Sequence, residues 1–146
     1  MRIAIGSDHA GYDLKEKLLG YIEELNHEIH DFGTDGTESV DYPDFAFKVG
    51  EAVARGDFDF GLLVCSTGVG MCVAANKVKG IRAALVCDSA TAVQSRAHVN
   101  CNVLVFGQKA SEFETARSAF DAWMKTPFEG GRHERRVAKI TDYEKG

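Results

Sequence analysis

Short apolar runs rich in β-branched residues alternate along the chain with longer segments whose apolar positions recur at a helical period. Arg2 to Gly6 reads as a first strand. Leu14, Leu18, Leu19, Ile22 and Leu25 follow with charges between them, which predicts a helix. Glu28 to Gly33 reads as a second strand. Phe45, Val49 and Val53 mark a helix that closes at Gly56, and Pro43 suits its first turn. Gly61 to Cys65 is a third strand, followed by a glycine-containing turn and a small-residue helix from Met71 to Val78. Arg82 to Cys87 is a fourth strand, and Asp88 or Ser89 can cap a helix from about Ala90 to Ala97. Asn102 to Gly107 is a fifth strand. Ser111 and Glu114 have the spacing of a capping box ahead of a helix striped by Phe113, Ala116, Phe120, Trp123 and Met124. Gly130 and Gly131 look like a hinge before a basic last helix. Strands alternating with helices predict an α/β fold, and their continuous apolar runs predict helices on both faces. The expected architecture is a three-layer α/β/α sandwich on a five-stranded, mostly parallel, Rossmann-like sheet.

Composition narrows the class. The chain has 146 residues, the size of one domain, with no linker or repeat, so one unit over 1–146 is expected. A hydrophobic share of 45% and a charged share of 27% exclude disorder, collagen and coiled coil. Lys plus Arg is 17 against 22 Asp plus Glu, a net charge of −5, which argues against a general nucleic-acid binder. None of the four cysteines forms a C-x-x-C pair, and no histidine spacing completes a zinc pattern, so no metal is expected. No apolar segment precedes the first charges, and no run of ~18 apolar residues could span a membrane. The expectation is a cytoplasmic protein with reduced thiols.

In an open α/β sheet, ligands gather beyond the carboxyl ends of the strands. The residues expected there are Asp8 and His9 after strand 1, Cys65-Ser66-Thr67-Gly68-Val69-Gly70 after strand 3, Asp88 after strand 4, and His98 beside Val99. The loop after Cys65 can turn several N–H groups toward one point, as an anion hole needs. It lacks the Walker lysine and the dinucleotide fingerprint, and a plain tight turn is the other reading. Cys65, at a strand end before a helix, sits where thiolates are favoured and could be a nucleophile or a general base; a small core residue is the alternative. Cys72, Cys87 and Cys101 lie in apolar segments and read as core. Asp8 could bind sugar hydroxyls or cap a helix. His98 could be an acid–base group or merely solvated. Arg132 and Arg136 share a helix face, which suits a dianion such as phosphate, though a solvated face is the plainer reading.

Taken together, these residues carry a resemblance. The chain resembles the type B ribose-5-phosphate isomerases and their galactose- and allose-6-phosphate isomerase relatives. The matching segments include Gly6-Ser-Asp-His-Ala-Gly11, Asp41-Tyr-Pro43, Cys65-Ser-Thr-Gly-Val-Gly70, Ser95-Arg-Ala-His98 and Glu129-Gly-Gly-Arg-His133 followed by Arg136. The resemblance implies a cofactor-free aldose–ketose isomerase acting through an enediolate on a phosphorylated sugar. It implies that Cys65 moves the proton between C1 and C2, and that Thr67 with the amides of Gly68 and Gly70 holds the enediolate oxygen. His98 would open the furanose ring, and Asp8 and Tyr42 would contact the sugar. His9, Arg132 and Arg136 would bind phosphate. It further implies a homodimer, alone or paired into a tetramer, in which His98 reaches into the neighbouring subunit's site. Three positions depart from the family: Ser66 where glycine is common, Val99 where many carry asparagine, and Lys109 where arginine is frequent. Ser66 keeps the turn small but adds a hydroxyl, Val99 loses a polar contact of the kind that discriminates between sugars, and Lys109 can pair with phosphate but not bidentately. Ribose 5-phosphate is the leading substrate; allose or galactose 6-phosphate, or a non-catalytic phosphate- or nucleotide-binding module, are the alternatives.

Overall fold

The computed structural model describes all residues, 1–146. Its strands are β1 (Arg2–Ser7), β2 (Glu28–Asp31), β3 (Phe60–Cys65), β4 (Ala83–Leu85) and β5 (Val103–Gly107). Its helices are α1 (Tyr12–Glu24), α2 (Tyr42–Ala54), α3 (Val69–Ala75), α4 (Ser89–Ala97), α5 (Phe113–Lys125) and α6 (Arg132–Lys145). All strand pairs are parallel, and the order is β2-β1-β3-β5-β4. The expected three-layer sandwich is present, with a sheet that is wholly rather than mostly parallel.

Successive strand side chains point to opposite faces. In β3, Leu62 and Val64 enter one core with Leu18, Phe120 and Trp123, while Leu63 and Cys65 enter the other with Val49 and Met71. Both faces are buried, which is why these strands read as unbroken apolar runs. The strand order reverses between β1 and β3, so the binding crevice falls where Asp8 and Cys65 end their strands.

Two sequence expectations fail. Ser111 and Glu114 form no capping box: α5 starts at Phe113 after an N-cap Glu112 that makes no side-chain bond. The Ser111 amide instead closes the turn after β5 on the Gly107 carbonyl at 3.0 Å. Cys87 is exposed rather than core, because β4 ends at Leu85 and the chain leaves the sheet edge.

A buried charge fixes the loop after β2. Lys15 is 0% exposed, and its ammonium donates to both Asp31 oxygens (3.0 and 2.9 Å) and to the Thr34 carbonyl (2.7 Å). That loop in turn pins the end of β1: the Ser7 amide donates to Gly33 O at 2.7 Å, and Thr34 donates back to Ser7 O at 2.9 Å. Lys15→Met is expected to cost about 3 kcal/mol, the low end for breaking a buried pair, because Asp31 keeps some solvent. Urea unfolding should show a lower midpoint at unchanged slope; an unchanged midpoint would show that the pair is energetically neutral.

Candidate active site

The turn after β3 is built by two glycines. Gly68 has φ +83°, left-handed backbone that side chains rarely adopt, and a Cβ there would collide with Leu85. At Gly70 a Cβ would fall 2.6 Å from the Tyr42 ring. Glycine at that position lets Tyr42, the first residue of α2, lie against the turn.

Cys65 is 5% exposed, and its Sγ accepts the Gly68 N–H at 3.1 Å. That amide is thus directed at sulfur, and not at an enediolate oxygen as the resemblance had it. The Thr67 hydroxyl oxygen accepts the Val69 amide at 3.3 Å, leaving its proton to donate. The amides of Gly70 and Met71 take no acceptor among the turn and cap hydrogen bonds, as expected of a helix's first turn. The donors this turn leaves for a ligand oxygen are therefore the Thr67 hydroxyl and the Gly70 and Met71 amides, the last a donor that sequence reading missed. The other thiols are poorer candidates: burial pushes Cys101 up to about 11 and raises Cys72 as well.

Asp8 and His9 stand beside this turn. Asp8 is buried, caps the short helix His9–Gly11 by accepting the Gly11 amide at 3.0 Å, and donates its own amide to Val64 O at 3.3 Å. The capping reading of Asp8 therefore holds, and its second oxygen is left for a ligand. His9 Nδ1 accepts the Val40 amide at 3.2 Å, which aims Nε2 outward. Lys109 is held at the same edge, its amide donating to Ser66 O at 2.9 Å. Asp8, His9, Tyr42, Ser66, Thr67, Gly68, Gly70 and Lys109 thus converge with Cys65 on the carboxyl edge of the sheet.

His98 does not. It caps the carboxyl end of α4, and a helix joining parallel strands runs back to the sheet's amino edge. The register from Gly61–Val103 to Cys65–Gly107 separates the two edges by about 13 Å. The expectation that His98 joins the carboxyl-edge residues is overturned within one chain. Val99 accompanies it, its carbonyl and that of Asn100 clamped by the Arg82 guanidinium at 3.0 and 2.9 Å. The Glu129 amide donates to Ala97 O at 3.0 Å, bringing the glycine hinge and α6 to the same place. There His98 stacks on His133 (centroids 4.1 Å apart, planes 8° from parallel), and its Nε2 lies 3.6 Å from Glu129 Oε1. Burial first, then the charges of His98 and Arg132, lower His133 from the usual histidine value. Arg132 and Arg136 are exposed beside this pair, on the first turns of α6. Sequence reading gave no role to Glu129 or His133; their only signal is the shared run Glu129 to Arg136.

One chain therefore displays two polar clusters on opposite edges of one sheet: a thiol with an amide-rich turn, and two histidines with two arginines. The family model for ribose/galactose isomerases matches residues 3–140.

This chain belongs to the ribose/galactose isomerase family.

Ribose-5-phosphate isomerase B of Escherichia coli is 44% identical over 143 residues, covering 98% of this chain and 96% of the relative. The solved ribose-5-phosphate isomerase B of Clostridium thermocellum superposes with a TM-score of 0.98 at 48% identity, covering 99% of this chain and 98% of that one. The Mycoplasma genitalium ribose-5-phosphate isomerase B, solved with bound ribulose-5-phosphate, gives 0.95 at 43% identity, covering 99% and 96%. In this family member no helix is long and apolar enough to cross a membrane.

Proposed function

We propose that this isomerase interconverts ribose 5-phosphate and ribulose 5-phosphate. The observation that carries the reading is the buried Cys65 sulfur beneath an amide-rich turn, at the strand crevice of a chain in this family. Cys65 as thiolate takes the proton from C2 of the open-chain aldose. The charge that develops on O1 meets the Thr67 hydroxyl and the Gly70 amide. A proton passes from O2 to O1 within the enediol, and the Cys65 thiol then gives its proton to C1, which leaves the carbonyl on C2 and restores the thiolate. A positioned acid–base group contributes ~10²–10⁴-fold and one oxyanion donor ~2.7–4 kcal/mol, and neither contribution needs a metal. Asp8 and Tyr42 orient the sugar; Ser66 stands where it can touch it.

His98, Val99, Arg132 and Arg136 complete this site from a second copy of the chain. Their place on the far edge supports that reading, because no single chain can bring them to Cys65. Apolar surface without cover supports it too: Val69 and Val73 on α3 are 55% and 58% exposed, and Ile140 and Tyr143 on α6 are 52% and 90%. His98 then opens the furanose ring, while His9, Lys109 and the two arginines bind phosphate. The relatives named for ribose 5-phosphate favour the pentose over a hexose phosphate, and a thiol under an amide turn favours chemistry over a binding module. A cytoplasmic location fits such a metabolic role.

The test is turnover of ribose 5-phosphate, allose 6-phosphate and galactose 6-phosphate with excess chelator. Ribose 5-phosphate should turn over fastest, and Arg132→Ala or Arg136→Ala should raise its KM ~10-fold or more, as loss of a charged phosphate contact does. A faster hexose phosphate, or activity that vanishes with chelator and returns with a divalent ion, would overturn the reading.

A further inference from the structure

The two stacked histidines and Glu129 form a group the isomerisation leaves partly unused. One ligand atom from each of His98, Glu129 and His133 lies within 4.8 Å of the other two. They come from three parts of the fold: the end of α4, the loop after α5, and the first turn of α6. Two hydrogen bonds hold that geometry, Glu129 N to Ala97 O at 3.0 Å and His133 N to Gly130 O at 3.1 Å. Two imidazoles and a carboxylate are a donor set that zinc accepts, leaving a fourth position for water. Zinc bonds of ~2.0–2.2 Å put neighbouring ligand atoms about 3.4 Å apart at the tetrahedral angle. The widest pair must therefore close by up to about 1.4 Å and the stacked rings must splay. The side chains of His98 and Glu129 are 37% and 50% exposed and free to make that movement.

We propose that His98, Glu129 and His133 form a site for a divalent transition-metal ion, zinc foremost, and that filling it arrests turnover by taking the His98 imidazole out of acid–base work. The second half rests on the ring-opening role assigned to His98 above; the first does not. A ligand histidine must give up its proton, so zinc binding competes with protonation of both imidazoles. Glu129 supplies the negative charge. Arg132 and Arg136, exposed on the first turns of α6, add positive charge that opposes a cation. Zinc here is an inhibitor, so removing it leaves the enzyme active.

Zinc chloride titrated into the full chain should bind by calorimetry at one ion per chain. Turnover of ribose 5-phosphate should fall ~10-fold or more at saturation and return with EDTA. Glu129→Gln and His133→Asn should each weaken zinc ~10-fold or more, as loss of a ligand does. Without any variant, cobalt(II) on the wild-type chain should broaden the ring-proton signals of His98 and His133 first. Zinc affinity that survives both substitutions and falls only in Cys65→Ala would place the ion on the thiol and overturn the site, as would cobalt broadening elsewhere. Ligand-dependent zinc binding that leaves turnover untouched would keep the metal site and overturn the acid–base role of His98.

Discussion

Cys65→Ala is expected to lower kcat by ~10²–10⁴-fold while leaving KM within a few-fold, the pattern for a group that acts on the reacting proton and not on binding. The sulfur sits where β3 delivers it, and the only hydrogen bond it accepts comes from the Gly68 amide in the turn that follows. Alanine would remove the proposed base and leave the glycine turn and Tyr42 in place. Cys65→Ser should also be poor, because a hydroxyl is a far weaker acid than a thiol. Cys87→Ser is the control: Cys87 is exposed beyond the end of β4 and should change nothing beyond twofold. The measurement is initial rate on ribose 5-phosphate with circular dichroism to confirm folding. Turnover of Cys65→Ala within tenfold of wild type would remove the thiol from the mechanism.

The second large effect concerns pairs of chains. If the proposed site is shared between two chains of a dimer, Cys65→Ala and His98→Ala should each be crippled when assayed alone on the ring-closed aldose phosphate. Unfolded and refolded together in equal amounts, they should pair at random, so roughly half the dimers are mixed. In a mixed dimer one site receives both lesions and the other receives neither. Roughly a quarter of wild-type activity should therefore return. If both residues served one site from one chain, every site would carry a lesion and nothing would return. Absence of recovery in a mixture shown by mass to contain the mixed dimer would refute the two-chain site.

Much of this was legible because strand burial is one-dimensional information. Leu62 to Cys65 and Val103 to Phe106 are buried on both faces, so their apolar runs announced central strands without any tertiary knowledge. Asp88 was readable as a cap because capping is local, and it does accept the Thr91 amide at 2.7 Å. Ser111 shows the limit of local rules: its spacing to Glu114 was right, but the turn after β5 claimed its amide first. Cys87 reads as core by its neighbours, and only the short edge strand β4 exposes it. Lys15 and Asp31 are paired across two elements, and a lysine on an amphipathic helix carries no mark of burial. The placement of His98 was open to topology alone, since a helix between parallel strands must return to the edge where the first strand began.

The separation of Cys65 and His98 across one sheet has a consequence for quantity. If each complete site needs two chains, a lone folded chain is an inert precursor, and sites appear only by association. Well below the dimer dissociation constant, active sites then grow with the square of the chain concentration, so halving the protein quarters the catalysis. The substrate adds to this by linkage: a phosphate gripped by residues of both chains binds only the pair, and so draws free chains into it.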